Sequence, residues 1–516
     1  MAHTYESALA HLSSIQSNRA IHSLFAPRAP APSSSSPFPT TTQDLNALAI
    51  PEMLTWLQRS GLSQSADLGA LRCIHVAGTK GKGSVSAYLT SILTQPEVRA
   101  VAGKVGTYTS PHLLSVRERI QIDGAPISKA AFTRYFFAVW DALTAAARAE
   151  AQRTGEEMLE EELAGPATKP FYFRLLTLVA LRAFAGEGVR SAVVECGIGG
   201  EYDSTNILPA SAVTASVIAQ LGVDHVGMLG ATVPAIAWHK AGVCKAGRRC
   251  FTRRLGGEGG ERVMRVLRRR AVEKEAVLVE VEDADVEAWG GEASGLEGAF
   301  QKYNQALAVG AAREHLRVLE GRPDDAQAGV VELANLPEGF ARGLRQASLR
   351  GRCETRREGN FTWFIDGAHT AESLEEVAKW FAEKRKALAG ARTVLVFNQQ
   401  DRDAATLLTG LYEGIGRAAG SPQDVIFDYA IFTRNDLQGR TAGESEGDLA
   451  VQQAAADAMR KLCPQTETFV VDNVGEAVEK VRAQAPSDDV KIGVLATGSL
   501  HLVGALLRTL EPEAEL

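Results

Sequence analysis

The 516-residue sequence contains little cysteine, and its cysteines are scattered along the chain. They form neither a C-x-x-C motif nor the spacing of a zinc finger. The six residues are Cys73, Cys196, Cys244, Cys250, Cys353 and Cys463. This arrangement argues against a disulfide framework and against metal binding by thiolates, and it favours reduced thiols in a cytosol-like compartment.

Long apolar segments are also missing. No stretch reaches the roughly 18 apolar residues that a membrane-spanning helix needs, so we do not expect membrane insertion. The opening MAHTYESALAHLSSIQSN has neither the basic start nor the apolar block of a secretory signal. A mitochondrial leader would be rich in arginine and poor in acidic residues, whereas this region contains Glu6 and only Arg19. We therefore expect a cytoplasmic protein and leave a mitochondrial form open.

Positive charge is not in excess. The chain has 55 Lys and Arg against 62 Asp and Glu, which gives a formal net charge of -7 at pH 7. A protein that coats nucleic acid or an acidic membrane usually has the opposite balance. Nucleic-acid partners are therefore not expected, and any anionic ligand has to be bound by a local group of residues.

The overall composition is ordinary for a globular protein, with 45% hydrophobic and 23% charged residues. Because single cores rarely grow to this length, we expect two domains. Short β-branched runs alternate with helical sequence, which is typical of an α/β protein with a largely parallel sheet. SAVVECGIGG and VTASVIAQLG are such runs, and RTVLVFN and VIFDYAIFT continue the alternation later in the chain.

The alternation stops and then starts again near the middle of the chain, which predicts a domain boundary near residue 345. Residues 1–345 would form the first α/β domain and residues 346–516 the second. Within the first domain, LGGEGGERVMRVLRRR and EDADVEAWGGEASG interrupt the alternation, and we interpret both segments as loops.

The apolar run IHVA ends in the glycine-rich turn GTKGKGS. Glycines after a buried strand allow a tight turn with inward N–H groups, and a following helix start adds positive dipole. Lys82 would reach the β- and γ-phosphates of a nucleotide, and Ser84 would contact a phosphate or its magnesium ion. The general nucleotide-binding pattern is not matched, because Gly78 lies three residues before Gly81 and Gly83 separates Lys82 from Ser84. Taken alone, the segment could also be a plain strand-to-helix turn with exposed lysines.

Four further motifs place a hydroxyl, a carboxylate, an imidazole and a lysine at strand ends or turns. They are TYTSPHLLSVRERI, ECGIGGEYDSTN, LGVDHVGMLG and WHKAGVCK. Together with the glycine turn, they closely resemble the folylpolyglutamate synthase family of ATP-dependent amide ligases, which is related to the bacterial Mur ligases. The opening TYESALAHLSSIQSN is similar to the fungal members. The family's phosphate loop has the form G-T-(K/N)-G-K-G-S, which accounts for the departure from the general pattern.

The resemblance implies a fold and a nucleotide site. The fold would be α/β, with an N-terminal Mur-ligase-type P-loop ATPase domain that has a parallel-rich sheet and a C-terminal Rossmann-like domain. Nucleotide binding is implied for the residues of the glycine turn, which are Gly78, Thr79, Gly81, Lys82, Gly83 and Ser84. Lys82 is also expected to act in catalysis.

The resemblance further implies that Ser110, Glu195 and His225 bind magnesium. Hydroxyl and carboxylate oxygens suit Mg²⁺, whereas imidazole is a less usual ligand for it. Without the family, Ser110 before Pro111 is an ordinary turn residue and His225 is a structural turn histidine. A carboxylate that ends a buried strand needs a cation or hydrogen-bond donors, which favours a functional role for Glu195.

For two further residues of the first domain, Lys240 and Asn304, the resemblance implies a functional role, and an ordinary structural role is an equally good or better interpretation of the sequence alone. Lys240, in WHKAG, corresponds to a lysine that is carbamylated in this family and helps to arrange the metals. Carbon dioxide reacts with a neutral amine, so carbamylation needs a shielded lysine with a lowered pKa; a helix-surface lysine is the alternative. Asn304, in KYNQALAV, corresponds to a position near the adenine in relatives, with a helix-surface amide as the alternative.

In the second domain, RGRCETRREGNFTWFIDGAHT resembles the family segments P-G-R-x-E and D-G-A-H-N. The resemblance implies that Arg352 binds an ATP phosphate, that Asp366 binds the nucleotide and that His369 faces the phosphates as a catalytic residue. The segment differs from the family at two places. Leu-Arg precedes Gly351 where an aromatic-proline pair is usual, and Thr370 replaces an asparagine.

The activity implied is the addition of L-glutamate to the γ-carboxylate of tetrahydrofolyl-(poly)glutamate, through an acyl phosphate formed with ATP. We expect ATP and Mg²⁺ to bind between the two domains, and a monovalent cation is a further candidate cofactor. Reduced folates, glutamate and ATP would be the partners of a monomer. Two alternatives remain: a dihydrofolate synthase, which joins dihydropteroate to glutamate, and a nucleotide-binding regulator without ligase activity.

Overall fold

The computed structural model describes residues 3–15, 42–323, 331–388, 390–400, 403–420, 425–437, 449–487 and 489–512. These residues separate into two compact units with one β-sheet each. Unit 1 consists of the described residues within Met1–His112, Val116–Glu292 and Lys302–Ala347. Unit 2 consists of the described residues within Leu113–Ser115, Ala293–Gln301 and Ser348–Leu516.

The sheet of unit 1 has eight strands among the described residues. They are β1 Arg72–Ala77, β2 Val105–Tyr108, β3 Ile120–Ile122, β4 Ala125–Pro126, β5 Ser191–Glu195, β6 Val213–Ile218, β7 Arg249–Arg253 and β8 Val277–Val281. Their order is β4-β3-β2-β5-β1-β6-β7-β8, and among these described strands the β2–β3 and β3–β4 pairs are antiparallel while the others are parallel. Every residue of β5 and β6 is buried, as expected for parallel strands that are covered on both faces.

The described helices of unit 1 pack around this sheet. They are α1 Tyr5–Ser14, α2 Thr42–Arg59, α3 Lys82–Leu93, α4 Pro96–Ala102, α5 Lys129–Thr154, α6 Glu160–Ala164, α7 Tyr172–Gly186, α8 Val226–Leu229, α9 Val233–Lys240, α10 Gly257–Glu273, α11 Asp283–Trp289, α12 Gln301–Leu319 and α13 Glu338–Gln346. A large core cluster joins α1, α2, α5 and α7 to β2 and β5. Its aromatic side chains include Phe132, Phe136 and Phe184, all fully buried.

The interpretation of two segments of unit 1 as loops is wrong, because they contain α10 and α11. Glycines occupy only the start of α10, and the remainder is rich in arginine, glutamate and valine, which are compatible with a helix. Val263, Met264, Leu267 and Ala271 recur at helical spacing and are buried. This apolar stripe was hidden by the glycines and charges that surround it.

Unit 2 contains a second, mainly parallel sheet of six described strands. They are β9 Glu354–Glu358, β10 Phe361–Ile365, β11 Arg392–Phe397, β12 Tyr429–Thr433, β13 Glu467–Val471 and β14 Ile492–Thr497, in the order β13-β12-β11-β14-β10-β9. The helices described in this unit are α14 Ala371–Arg385, α15 Ala404–Ala419, α16 Ala450–Leu462, α17 Val474–Ala483 and α18 Leu500–Leu510. Only β9 is antiparallel to its neighbour.

The two faces of the unit 2 sheet support separate cores. In β10, Trp363 and Ile365 belong to one core and Phe364 to the other. In β11, Val394 and Leu395 divide in the same way. This period of two is the geometry of a strand, and burial on both faces requires helices on both sides. The predicted α/β class is therefore confirmed.

None of the helices in the described ranges is both long enough and apolar enough to cross a bilayer.

Candidate active site

The glycine turn lies between β1 and α3, where the parallel strands of unit 1 have their carboxyl ends. β1 ends at Ala77, and α3 begins at Lys82 with Gly81 as its N-cap residue. Gly81 has a φ of 79°, in the left-handed region that favours glycine. Within the described residues no side chain caps this helix start, so the first N–H groups of α3 face the turn. The turn therefore has the geometry of an anion site.

Gly78 is confined even more closely than Gly81. Its φ is 153°, and a Cβ at this position would lie 2.8 Å from the Cβ of Ala219 and 3.2 Å from the Ala219 nitrogen. Ala219 follows β6 and its N–H donates to the carbonyl of Ala77 over 2.8 Å. The obstacle is thus the Cβ of Ala219 and the hydrogen-bonded backbone that carries it, which cannot move aside easily.

We expect Gly78→Ala to lower the free energy of unfolding by about 2–5 kcal/mol, because backbone strain and overpacking add. Gly61→Ala is the control for a positive φ without crowding: Gly61 has a φ of 77°, and no atom lies within 4 Å of its added Cβ. Only strain applies there, so we expect a loss of about 1–2 kcal/mol. Chemical denaturation of both variants measures the difference, and equal losses would contradict the steric account.

Two lysine side chains meet at the carbonyl oxygen of Gly78. The Nζ of Lys82 donates to it over 3.0 Å, and the Nζ of Lys240 donates to it over 2.9 Å. Lys240 is the last residue of α9 and is 3% exposed. Two amine groups, of which Lys240 is buried and Lys82 partly buried, therefore meet at one carbonyl beside the helix start, and this arrangement supports an anion site.

Lys240 has a strongly lowered pKa of about 7, because burial disfavours its charged form and the nearby Lys82 ammonium adds repulsion. A substantial fraction of this amine is neutral near pH 7. Lys240 is therefore a buried residue of the site edge, and the alternative of a helix-surface lysine does not describe its position. The lowered pKa also meets the chemical requirement for reaction with carbon dioxide.

The rest of the glycine turn is attached to the segment after β6. The hydroxyl of Thr79 donates to the carbonyl of Gly222 and accepts from the Gly222 N–H, both over 3.1 Å. The N–H of Thr79 also donates to the carbonyl of Gln220 over 2.8 Å. Gly83 and Ser84 lie in the first turn of α3, with Ser84 buried. These bonds hold the turn in one conformation.

Asn304 lies on α12 and is 5% exposed. Its Oδ1 lies 2.5 Å from the position that a Cβ of residue 81 would occupy. The side chain therefore contacts the glycine turn, and it is not a helix-surface amide.

The three residues predicted to bind magnesium lie at or after the carboxyl ends of three parallel strands of unit 1. Ser110 comes two residues after β2, Glu195 ends β5, and His225 lies in the segment after β6. The strand order β2-β5-β1-β6 places these residues on either side of the glycine turn, at the same edge of the sheet. Glu195 is opposite Val76 in the β1–β5 register and is 3% exposed. Such an edge is the usual ligand site of an open parallel sheet.

His225 is held in an unusual conformation for a residue with a side chain. Its φ is 50°, and it is the N-cap residue of α8. The preceding Asp224 accepts a hydrogen bond from the His225 N–H over 2.9 Å, and the two side chains approach to 3.8 Å. Within the described residues, no three His, Cys, Asp or Glu side chains form a cluster suited to a metal.

The residues predicted in the second domain lie close together in unit 2. Asp366 follows β10, and its carboxylate accepts from the N–H groups of Cys353 and Ala368 over 2.7 and 2.8 Å. Burial raises the pKa of Asp366, and the Arg352 guanidinium and these hydrogen bonds oppose that rise. The Nη1 of Arg352 donates to the Gly351 carbonyl over 3.1 Å. His369 donates from Nδ1 to the Gly367 carbonyl over 2.9 Å.

One group of residues near the unit 1 edge was not identified from the sequence. His75 of β1, together with Thr205 and Asp203, forms a buried hydrogen-bonded chain beside Cys196, the residue after Glu195. Asp203 accepts from the N–H of Thr205 two residues later, over 2.9 Å. The sequence D-S-T is a signal for such a local turn, but the partner in β1 is distant in sequence and cannot be predicted locally.

Comparison with known proteins gives close relatives over nearly the whole chain, although no family model matches it. The chain is 38% identical over 483 residues to a folylpolyglutamate synthase from Neurospora crassa, covering 90% of this chain and 86% of that protein. It is 36% identical over 518 residues to a folylpolyglutamate synthase from Saccharomyces cerevisiae, covering 98% of this chain and 86% of that protein.

Solved structures have the same fold. The folylpolyglutamate synthase of Mycobacterium tuberculosis complexed with ADP and AMPPCP is 25% identical, with a TM-score of 0.62 and coverage of 90% of this chain and 94% of that chain. The apo form of L. casei FPGS, at 20% identity, has a TM-score of 0.64 and coverage of 98% and 99%. The predicted Mur-ligase-type fold is thereby confirmed. On its identity to the two fungal enzymes, the chain belongs to the folylpolyglutamate synthase family.

Proposed function

We propose that this protein is a tetrahydrofolate:L-glutamate γ-ligase that forms ADP. Membership of the family supports the reaction class. The observation of this chain that carries the proposal is the glycine turn with Lys82 and Lys240 on the Gly78 carbonyl, since two lysine side chains beside an uncapped helix start fit a triphosphate. The relatives are supportive as well, because the M. tuberculosis enzyme is described in complex with ADP and AMPPCP.

The predicted site residues at the carboxyl ends of the unit 1 strands each have a proposed role. The N–H groups of the turn bind the phosphates, Lys82 neutralises charge on the transferred phosphoryl group, and Asn304 lies where the nucleotide base would approach. Lys240, neutral in part near pH 7, is proposed as the carbamylated residue. The ATP-binding domain would be residues 1–345, with the second domain at residues 346–516.

The donor set at this edge fits a magnesium ion. Ser110 and Glu195 offer oxygen atoms, and burial of the Glu195 carboxylate at a strand end favours a cation beside it. His225 would complete the set. When bound, Mg²⁺ would supply charge stabilisation for the phosphates and orient them.

The chemistry follows from the low reactivity of a carboxylate. A γ-carboxylate oxygen of the folate attacks the γ-phosphorus of ATP, and the bond between that phosphorus and the β,γ-bridging oxygen breaks. The products of this step are ADP and a folyl acyl phosphate. The amine nitrogen of glutamate then attacks the acyl carbon, phosphate leaves, and the nitrogen loses a proton to give the amide. The chain's contribution is to position these groups and to stabilise charge, which can lower a barrier by about 7–11 kcal/mol in favourable cases.

The residues of unit 2 have proposed roles that rest on their motifs. Arg352 would bind phosphate, Asp366 would bind the nucleotide, and His369 would act at the phosphates. Their local structure is compatible with this, because Asp366 is buried and held by two N–H groups and His369 is fixed through Nδ1.

The finer properties of the protein are proposals as well. Reduced folate polyglutamates, L-glutamate and ATP would be its small-molecule partners, with a monovalent cation as a further candidate. We propose a cytoplasmic monomer, with a mitochondrial form as a second location. The cytoplasm is supported by six cysteines that are all buried and free, as expected in a reducing compartment.

The proposed function predicts that purified protein with ATP, Mg²⁺, tetrahydrofolate and labelled glutamate forms ADP in a glutamate-dependent manner and puts the label into longer folates. A parallel reaction with dihydropteroate identifies the alternative acceptor. Label in dihydrofolate alone would assign a dihydrofolate synthase. Nucleotide binding without either labelled product would assign a regulator and refute the ligase proposal.

A further inference from the structure

The loop after β5 is closed by a single buried carboxylate. Asp203 accepts from the N–H of Ile198 over 3.0 Å, and from the N–H and the hydroxyl of Thr205 over 2.9 and 2.6 Å. Ile198 lies three residues after Glu195, whereas Thr205 lies at the far end of the loop. Asp203 therefore joins the two ends of the loop that begins at the predicted magnesium ligand.

The same carboxylate is linked to the strand that precedes the glycine turn. Because the hydroxyl hydrogen of Thr205 points to Asp203, its oxygen is left to accept from the Nε2 of His75 over 2.8 Å. His75 is completely buried, and burial lowers its pKa to about 3, so the imidazole is neutral with its hydrogen on Nε2. The Sγ of Cys196 lies 3.2 Å from the same nitrogen.

The middle of the loop is attached to the helix that carries Lys240. The N–H of Glu201 donates to the His239 carbonyl over 2.7 Å. A Cβ on Gly200 would lie 2.7 Å from that carbonyl oxygen and 2.9 Å from the carbonyl oxygen of Lys240. The loop is thus in contact with α9 at its last turn, while its first residues continue directly from Glu195.

We propose that Asp203, acting through Thr205 and His75, is a positioning residue that holds Glu195 and Lys240 in place for metal-nucleotide binding. This inference rests on the proposed function. Loss of the carboxylate would leave the buried N–H of Thr205 and the partly buried N–H of Ile198 without this acceptor, and it would free the loop from β1. Residues that orient the ligands of a metal site typically change metal affinity or activity by about 10- to 100-fold when they are replaced.

A matched control exists at the opposite edge of the same sheet. Thr214 of β6 is bonded to the buried His315 over 2.7 Å, and His315 is bonded to Ser191 of β5 over 2.8 Å. Burial lowers the pKa of His315 to about 3, as it does for His75. Thr214→Val and Thr205→Val therefore remove the same kind of hydroxyl, but only Thr205 lies at the carboxyl edge.

The test compares Asp203→Asn, Thr205→Val, Thr205→Ser and Thr214→Val in the full chain. Binding of Mn²⁺ with a non-hydrolysable ATP analogue is followed by electron paramagnetic resonance, and Mg²⁺ dependence and turnover are measured separately. We expect Asp203→Asn and Thr205→Val to weaken Mn²⁺ binding and raise the half-saturating Mg²⁺ concentration by about 10- to 100-fold. Thr205→Ser should restore both, and Thr214→Val should lower only the melting temperature.

The proposal is overturned if Thr205→Val changes Mn²⁺ binding and turnover no more than Thr214→Val does. If Asp203→Asn does not fold, the proposal is still tested by comparing Mn²⁺ binding and turnover in Thr205→Val with those in Thr205→Ser. If the wild-type protein binds Mn²⁺ and nucleotide but ligates no glutamate, the proposed function fails, while the Mn²⁺ comparison still tests the positioning role.

Discussion

Replacing Lys82 with alanine is expected to lower glutamate-dependent ADP formation by about 10²- to 10³-fold while the protein stays folded. The ammonium of Lys82 is proposed to stabilise charge that develops on the transferred phosphoryl group. Its structural role is small, because the Gly78 carbonyl keeps the hydrogen bond from Lys240 when Lys82 is absent. Loss of the Lys82 charge also removes a repulsion that lowers the pKa of Lys240.

Steady-state kinetics and chemical denaturation of Lys82→Ala measure the two effects. Lys80→Ala is the control, since Lys80 belongs to the same turn but has no proposed role in the reaction. We expect Lys80→Ala to keep turnover within a few-fold of wild type. Wild-type turnover in Lys82→Ala would remove Lys82 from the mechanism, and a large loss of stability would show that its role is structural.

Lys240→Met is expected to act in opposite directions on stability and activity. At pH 7 the free energy of unfolding of the variant should be higher by about 1–4 kcal/mol. Each unit by which burial lowers the pKa of Lys240 corresponds to about 1.4 kcal/mol of destabilisation, and local relaxation offsets part of this cost. The Gly78 carbonyl retains Lys82 as a donor. Turnover should fall by about 10²-fold or more, since the proposed carbamylated residue is lost.

The pH dependence of stability tests the same residue independently of activity. Lys240 has a pKa of about 7 in the folded protein against an ordinary value near 10.5. Between these values the unfolded chain binds more protons than the folded chain, so the free energy of unfolding rises with pH. The stability gained through deprotonation of Lys240 is lost as the pH falls through about 7. In Lys240→Met this part of the pH dependence of the free energy of unfolding should be absent.

Unfolding curves at pH 7, 8 and 9 measure this slope. Lys169→Met is the control for activity, because Lys169 also has a lowered pKa, of about 8, but donates to the carbonyls of Leu163 and Gly165 outside the proposed site. It should keep wild-type turnover whatever its stability. Equal slopes in Lys240→Met and wild type would contradict the lowered pKa.

The parts of the molecule that local sequence determines were predicted well. The glycine turn after β1 and the alternating strands of both sheets depend on residues close together in the chain. The sequence also placed Ser110, Glu195 and His225 at strand ends. Their arrangement at one edge follows from the strand order, which a single sequence does not reveal.

The remainder depended on contacts between distant segments. The bond between His75 and Thr205 joins residues far apart in sequence, and burial of Lys240 and Asn304 results from packing against the turn. Helix α10 was missed for a different reason. Its starting glycines and many charges obscured an apolar stripe that becomes visible only when the segment is read at helical spacing.

The composition of unit 2 bears on how this protein can be divided or synthesised. Leu114 belongs to the Trp363 and Val503 core, and its carbonyl accepts a hydrogen bond from Arg508. Glu297 accepts from the indole of Trp380 over 2.8 Å. A fragment that starts at residue 348 would lack both contributions. On the ribosome, the early segment at Leu113–Ser115 has to wait for the carboxyl-terminal strands before this core can close.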